Sequence, residues 1–216
     1  MSIWSHRCKT SQYKDNSIHG CKQAATFFTG IEVDVRWKNQ KFWLDHDDWE
    51  RADGTLEELL NLQLPVDMLI DMKTSYAESI PRLIQLVQNH SKNIIVEVYD
   101  DTLIQPLHHA NITTASTHYD TDYRSISGIR WLLFSSDKTP FYSWHLDSFC
   151  FTDMFFQNGG TIILTDNFEP HQCDTFPNLI LIRVLLWVFI ISIVLLIVYG
   201  CFKLYTYCTR PRRYKL

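Results

Sequence analysis

Apolar and polar positions along this chain fall into short runs that switch between a spacing of two and a helical spacing. Ser2-Ile3-Trp4-Ser5 reads as a strand that runs directly into His6-Arg7. Ile18, Cys21, Ala24, Ala25 and Phe28 recur at helical intervals, which predicts a helix over about 17–28. Residues 30–37 follow as a strand. Alternate side chains of a strand share a face, so Glu32 and Asp34 project together while Ile31, Val33 and Val35 take the other side. A turn at Asn39-Gln40 leads into Lys41-Phe42-Trp43-Leu44, which delivers Asp45-His46-Asp47-Asp48. Thr55, with Glu58 three residues on, has the form of a capping box and opens a second helix. Further strands are predicted at 65–70, 93–99, 112–116, 129–134, 140–145 and 159–164, with helices near 76–89, 103–110 and 149–156.

Strand alternating with helix implies a parallel sheet with right-handed crossovers. Eight such strands predict an α/β fold, a (β/α)8 TIM barrel. It is compact, because the body falls short of the roughly 250 residues typical of that fold. A doubly wound open sheet is the alternative. No glycine-rich phosphate loop follows the first strand, which counts against its dinucleotide-binding version.

From 184 to 202 the pattern disappears and the chain is apolar throughout, bracketed by Arg183 and Lys203. A helix of that length crosses the roughly 30 Å hydrocarbon layer of a bilayer. The organisation expected is a barrel over 1–172, a linker over 173–183, a transmembrane helix over 184–202 and a basic tail over 203–216. The location expected is a membrane, held by this C-terminal anchor. Lys203, Arg210, Arg212, Arg213 and Lys215 would place the tail in the cytosol by the positive-inside rule. No charged and apolar leader precedes the first strand, so no cleavable signal peptide is expected. A late-inserting anchor would then leave the barrel itself in the cytosol, and the two arguments oppose each other.

Charge sharpens the picture. All 24 acidic residues lie before Pro177 with 14 of the 20 Lys and Arg, a net charge of -10 on the body. An acidic body excludes nucleic acid as the expected partner and suits a site that holds cations. Cys8, Cys21, Cys150 and Cys173 fit no zinc spacing, and two disulfides or four buried thiols both remain open. Asn89-His90-Ser91 and Asn111-Ile112-Thr113 are formal glycosylation sequons.

In a barrel the C-terminal strand ends converge on one mouth. Here those ends carry His6-Arg7, Glu32-x-Asp34, His46 and Asp71-x-Lys73. Three carboxylates make a hard oxygen site for Mg²⁺ or Ca²⁺. A cation, with Lys73 and Arg7, would offset charge building on phosphoryl oxygens. His6 and His46 suit acid and base, since an imidazole titrates near neutral pH. His108-His109 reads as an exposed pair at a helix end. Glu97 could reach the mouth from the fourth strand, with a satisfied polar residue as the favoured reading.

The series His6-Arg7, Glu32-x-Asp34, His46-Asp47, Asp71-x-Lys73 and Thr165-Asp166 resembles the glycerophosphodiester phosphodiesterase family, which has H-R, E-x-D, H-D, E-x-K and T-D-x-P in that order. Asp71-Met72-Lys73-Thr74 is more similar to the D-x-K-T of the related sphingomyelinase D branch. The resemblance implies that His6 and His46 are the acid-base pair and that Glu32, Asp34 and Asp71 bind the metal. It implies that Arg7 and Lys73 contact phosphate and that Trp144 lines the substrate pocket. It also implies attack by a neighbouring substrate hydroxyl. With the anchor, the expected function is a membrane-anchored phosphodiesterase acting on a glycerophosphodiester or on a lysophospholipid or sphingolipid. Cys8 stands where the family usually has Gly, the P-E-N-T segment is absent, and Asn167-Phe168-Glu169-Pro170 displaces the final proline. A barrel that binds without turning over is the alternative.

Overall fold

The computed structural model describes residues 2–74, 76–88, 90, 92–117, 121–127, 140–144, 155–156, 160–166 and 179–209. The chain divides into two units, Met1–Phe176 and Pro177–Leu216.

The first unit is a (β/α)8 barrel. Its strands are β1 (Ser2–Ser5), β2 (Gly30–Lys38), β4 (Asp67–Met72), β5 (Ile94–Glu97), β6 (Thr113–Ser116), β7 (Tyr123–Ser127), β8 (Phe141–Trp144) and β9 (Gly160–Thr165). All pair in parallel, and β1 closes the ring by pairing with both β2 and β9. β3 (Lys41–Leu44) folds back antiparallel on β2 outside the ring. Helices α1 (Ile18–Ala24), α2 (Leu56–Asn61), α3 (Ile80–Val87) and α4 (Ile104–His109) follow strands in the crossover positions.

Strand parity divides the apolar side chains into two layers. Ile31, Val33, Val35, Ile70 and Val96 point outward and pack against Leu59, Leu83 and Leu107 of the helices. Trp4, Leu69, Ile95, Tyr142, Ile162 and Leu164 form a separate cluster that fills the barrel. Full burial of such side chains is worth about 1.5–3 kcal/mol each. Trp4 is accommodated because its register partner on β2 is Gly30: a Cβ there would lie 2.2 Å from the indole ring. Thr55 caps α2 as the sequence predicts, its hydroxyl accepting from the Glu58 N–H while the Glu58 carboxylate accepts from the Thr55 N–H.

Several boundaries differ from the sequence expectation, among them the first helix, which ends at Ala24 rather than near Phe28. The strand expected over 65–70 runs from Asp67 to Met72, so Asp71 lies within it rather than beyond it. The helix expected over 76–89 begins as a 3-10 turn, Ala77–Ser79, ahead of α3, where Pro81 occupies the first helical turn. The sixth barrel strand is Tyr123–Ser127, whereas the apolar run at 129–134 lies outside the described residues. Of the helix expected over 149–156, only 155–156 are described, and these are helical.

The second unit holds one helix, Leu179–Thr209. Within it Val184–Lys203 has a mean hydropathy of 2.9 and none of its side chains is buried. At 1.5 Å rise per residue these 20 residues reach about 30 Å, so the helix is a candidate membrane span.

Candidate active site

The turn after β1 is built under constraint. His6–Cys8 forms a 3-10 turn in which Arg7 and Cys8 both have left-handed backbones, with φ of 56° and 51°. That region costs an L-residue roughly 1–2 kcal/mol. Two contacts hold it. The Arg7 N–H donates to Glu32 Oε2 at 2.6 Å, and Cys8 is joined by a disulfide to Cys21 on α1. Glycine adopts such a φ without strain, and at Cys8 the disulfide holds it instead. The sequence left the pairing open. Cys150 and Cys173 lie outside the described residues.

Parallel register then lines up the acids. Asp34 on β2 pairs with Asp71 on β4, and Asp71 pairs with Glu97 on β5. Glu32 sits one inward position below Asp34 on the same strand. Oxygen atoms of Glu32, Asp34 and Asp71 lie within 4.8 Å of one another, and all three residues are buried. Lys73 bridges two of them, with Nζ 3.0 Å from Asp34 and 2.6 Å from Asp71. Arg7 Nε lies 3.3 Å from Asp34. Asn16, itself left-handed at φ 57°, clamps Asp34 from the far side: its Nδ2 donates to Oδ2 at 2.8 Å and its Oδ1 accepts the Asp34 N–H at 3.0 Å.

Both imidazoles face the same cavity, which has a volume of about 200 Å³ and is bounded by His6, His46, Glu32, Asp71 and Lys73. Each has a carboxylate behind Nδ1. For His6 it is Asp166 at the end of β9, 2.9 Å away, and for His46 it is the adjacent Asp47. The Nε2 edge of His6 is turned toward Glu32, 4.0 Å away. The Thr165-Asp166 pair thereby reaches His6 across 160 residues, because β9 and β1 are neighbours.

The cavity also contains residues the sequence reading set aside. Glu97 lines it, so it reaches the mouth, although the Tyr142 and Ser125 hydroxyls also lie against its carboxylate. Tyr99 lines it too, donating its hydroxyl to Asp71 at 3.1 Å with Lys73 Nζ 5.9 Å from its ring centre. The signal was present in the alternation of 93–99, where Ile95, Glu97 and Tyr99 share a face. His108, expected to be exposed, is half-buried and bonded to Thr114 and Asp122, away from this cavity. Trp144 ends β8 in register with Leu164, and its side chain lies outside the described residues.

Burial raises the Glu32 carboxyl well above the usual range, and the charges of Asp34 and Asp71 add to the effect. Asp71 is raised for the same first reason. Glu97 is pushed up to about 8 by burial and by Asp71, against the Tyr142 and Ser125 hydroxyls. Burial alone would depress the Lys73 ammonium, but Asp71 and Asp34 outweigh it and raise it. A carboxyl titrating near 4.5 when unfolded and near 8 when folded stabilises fully below 4.5, and that contribution is lost as pH rises toward 8. In metal-free protein the melting temperature therefore declines between these values. Glu97→Gln reduces the slope by up to about 1.4 kcal/mol per pH unit, which thermal melts across that interval measure.

The site suits a hard divalent cation. The donor set is all oxygen, as Mg²⁺ and Ca²⁺ require. Asp71 Oδ1 is buried and has no hydrogen-bond partner among the described residues. Fully ionised, Glu32, Asp34, Asp71 and Glu97 carry two more charges than Lys73 and Arg7 supply. Without a cation, desolvation and mutual repulsion favour protonation of these acids instead.

Fold and site together define a parallel α/β barrel whose single acidic mouth combines paired imidazoles with a lysine. No protein-family model matches the sequence, and no curated protein does either. Among solved structures, the chain is similar to a phosphodiesterase from Oleispira antarctica, solved in complex with the product sn-glycerol-3-phosphate. The TM-score is 0.62 at 12% identity, over 77% of this chain and 93% of that one. The likeness is one of fold.

Proposed function

We propose that the barrel is a divalent-metal-dependent phosphodiesterase acting on glycerophosphodiesters or on the headgroups of lysophospholipids or sphingolipids, and that the C-terminal helix anchors it in a membrane. One observation carries the reading. Two carboxylate-backed imidazoles, Lys73, and the Glu32 and Asp71 members of the carboxylate triad border one cavity of about 200 Å³ at the C-terminal ends of the strands, with Asp34 within reach of both acids. The similarity in fold to a phosphodiesterase solved with sn-glycerol-3-phosphate agrees with it.

Glu32, Asp34 and Asp71 would hold the metal, which supplies Lewis-acid stabilisation of the phosphoryl oxygens when bound. Lys73 and Arg7 bring further positive charge to the same oxygens. One imidazole takes the proton of the attacking hydroxyl as its oxygen bonds to phosphorus, and the other protonates the departing oxygen as its bond to phosphorus breaks. Asp166 and Asp47 fix the Nδ1 proton of each ring and so orient Nε2 toward the reacting atoms. Trp144 is proposed to contribute to the substrate pocket. The barrel is proposed to span 1–172, with the linker, anchor and basic tail following over 173–183, 184–202 and 203–216.

Full-length protein in detergent micelles, supplied with Mg²⁺, is expected to release headgroup from at least one of glycerophosphocholine, lysophosphatidylcholine and sphingomyelin. EDTA abolishes release and added Mg²⁺ restores it. If none is turned over while Mg²⁺ still raises the melting temperature, the barrel is a binding module. If neither occurs, the site has been misread.

A further inference from the structure

The side of the membrane on which the barrel lies can be read from its disulfide and from the charges that follow the apolar helix. Cys8 and Cys21 are both fully buried and bonded to each other beneath the turn that carries His6 and Arg7. Structural disulfides of this kind form and persist in oxidising compartments, whereas the cytosol keeps thiols reduced. The basic residues after Lys203, unaccompanied by any acid, favour the cytosolic side for the tail. Both observations are satisfied when tail and barrel lie on opposite sides of the bilayer.

That orientation gives one of the sequons a meaning. Asn111 occupies the turn between α4 and β6, with φ of 56°, and its side chain is exposed. Among the described residues its carboxamide makes no hydrogen bond; only its backbone N–H does, to His108. Ile112 is buried and Thr113 opens β6, so the acceptor asparagine projects from a fixed frame. The turn precedes a barrel strand, which puts it at the end opposite the cavity, where an attached sugar leaves the mouth open.

We propose that the barrel resides on the non-cytosolic side of its membrane and that Asn111 is an N-glycosylation site. In the reaction, the carboxamide nitrogen bonds to the anomeric carbon of a lipid-diphosphate-linked oligosaccharide. The bond from that carbon to the diphosphate oxygen breaks, the lipid diphosphate departs and the amide releases one proton. The inference rests on the anchor in the reading above and not on phosphodiester cleavage, and its readouts are independent of turnover.

The full chain is produced in yeast, and membranes are isolated as sealed vesicles. An N-glycan-removing endoglycosidase is expected to increase gel mobility by one step. Asn111→Gln and Thr113→Ala abolish that step, and Thr113→Ser retains it. Protease added outside the vesicles spares the barrel until detergent is present, and Cys8 and Cys21 resist alkylation until reductant is added. Digestion of the barrel in intact vesicles overturns the orientation. A protected barrel whose mobility is the same in wild type and Asn111→Gln overturns the glycan. Release of the chain by alkaline carbonate overturns the anchor instead, whether or not the protein cleaves phosphodiesters.

Discussion

His6→Ala lowers kcat for phosphodiester cleavage by about 10²- to 10⁴-fold, the contribution of one positioned acid or base. His46→Ala does the same. The double variant is little worse than the weaker single one, because the two rings act on one proton-transfer sequence and either loss stalls it. His6 is nearly buried and hydrogen-bonded to Asp166, so its removal also forfeits one interaction of about 1 kcal/mol. That corresponds to a melting shift of about 2–4 °C for a chain of this size. Activity and stability thus separate: steady-state kinetics fall by orders of magnitude while the melt moves slightly. A His6→Ala enzyme that retains wild-type kcat would remove the imidazole pair from the mechanism.

The second large effect belongs to the disulfide. Opening it in Cys8→Ser/Cys21→Ser costs about 3 kcal/mol, the loop-closure value for a ring of this size. It also leaves Cys8's left-handed backbone to a residue that disfavours it. The turn carries Arg7, whose N–H holds Glu32, so relaxation there disturbs the carboxylate cluster as well as His6. The double-serine variant is expected to lose more than tenfold in kcat/KM. Glycine tolerates a φ of 51° without strain. Cys8→Gly/Cys21→Ser should therefore recover a substantial part of the activity at the same loss of crosslink. Comparing the two variants by kinetics and thermal melts decides the matter. Equal activities would mean that the crosslink alone, and not the backbone conformation, sets the turn.

Much of the barrel is legible in the chain because the cues are local. The period of two over Gly30–Lys38 separates Glu32 and Asp34 from Ile31, Val33 and Val35, and the register then sets them where that parity predicts. The Thr55–Glu58 capping box needs only four consecutive residues. The sixth strand was missed for the converse reason. In Tyr123-Arg124-Ser125-Ile126-Ser127 the interior face carries hydroxyls and the outer face an arginine, so no apolar period marks it. The more apolar 129–134 outweighed it.

What the sequence determined by itself was the alternation of strands and helices through the first half of the barrel, the face on which Glu32, Asp34 and Asp71 lie, the acidic character of the body and the apolar run that follows it. These depend on residues within a few positions of one another. Tertiary structure alone decided that Asp166 supports His6, that Asn16 clamps Asp34 and that Cys8 meets Cys21. Such contacts exist only once the ring is closed, when β1 lies between β2 and β9 and residues far apart in the chain become neighbours around one mouth.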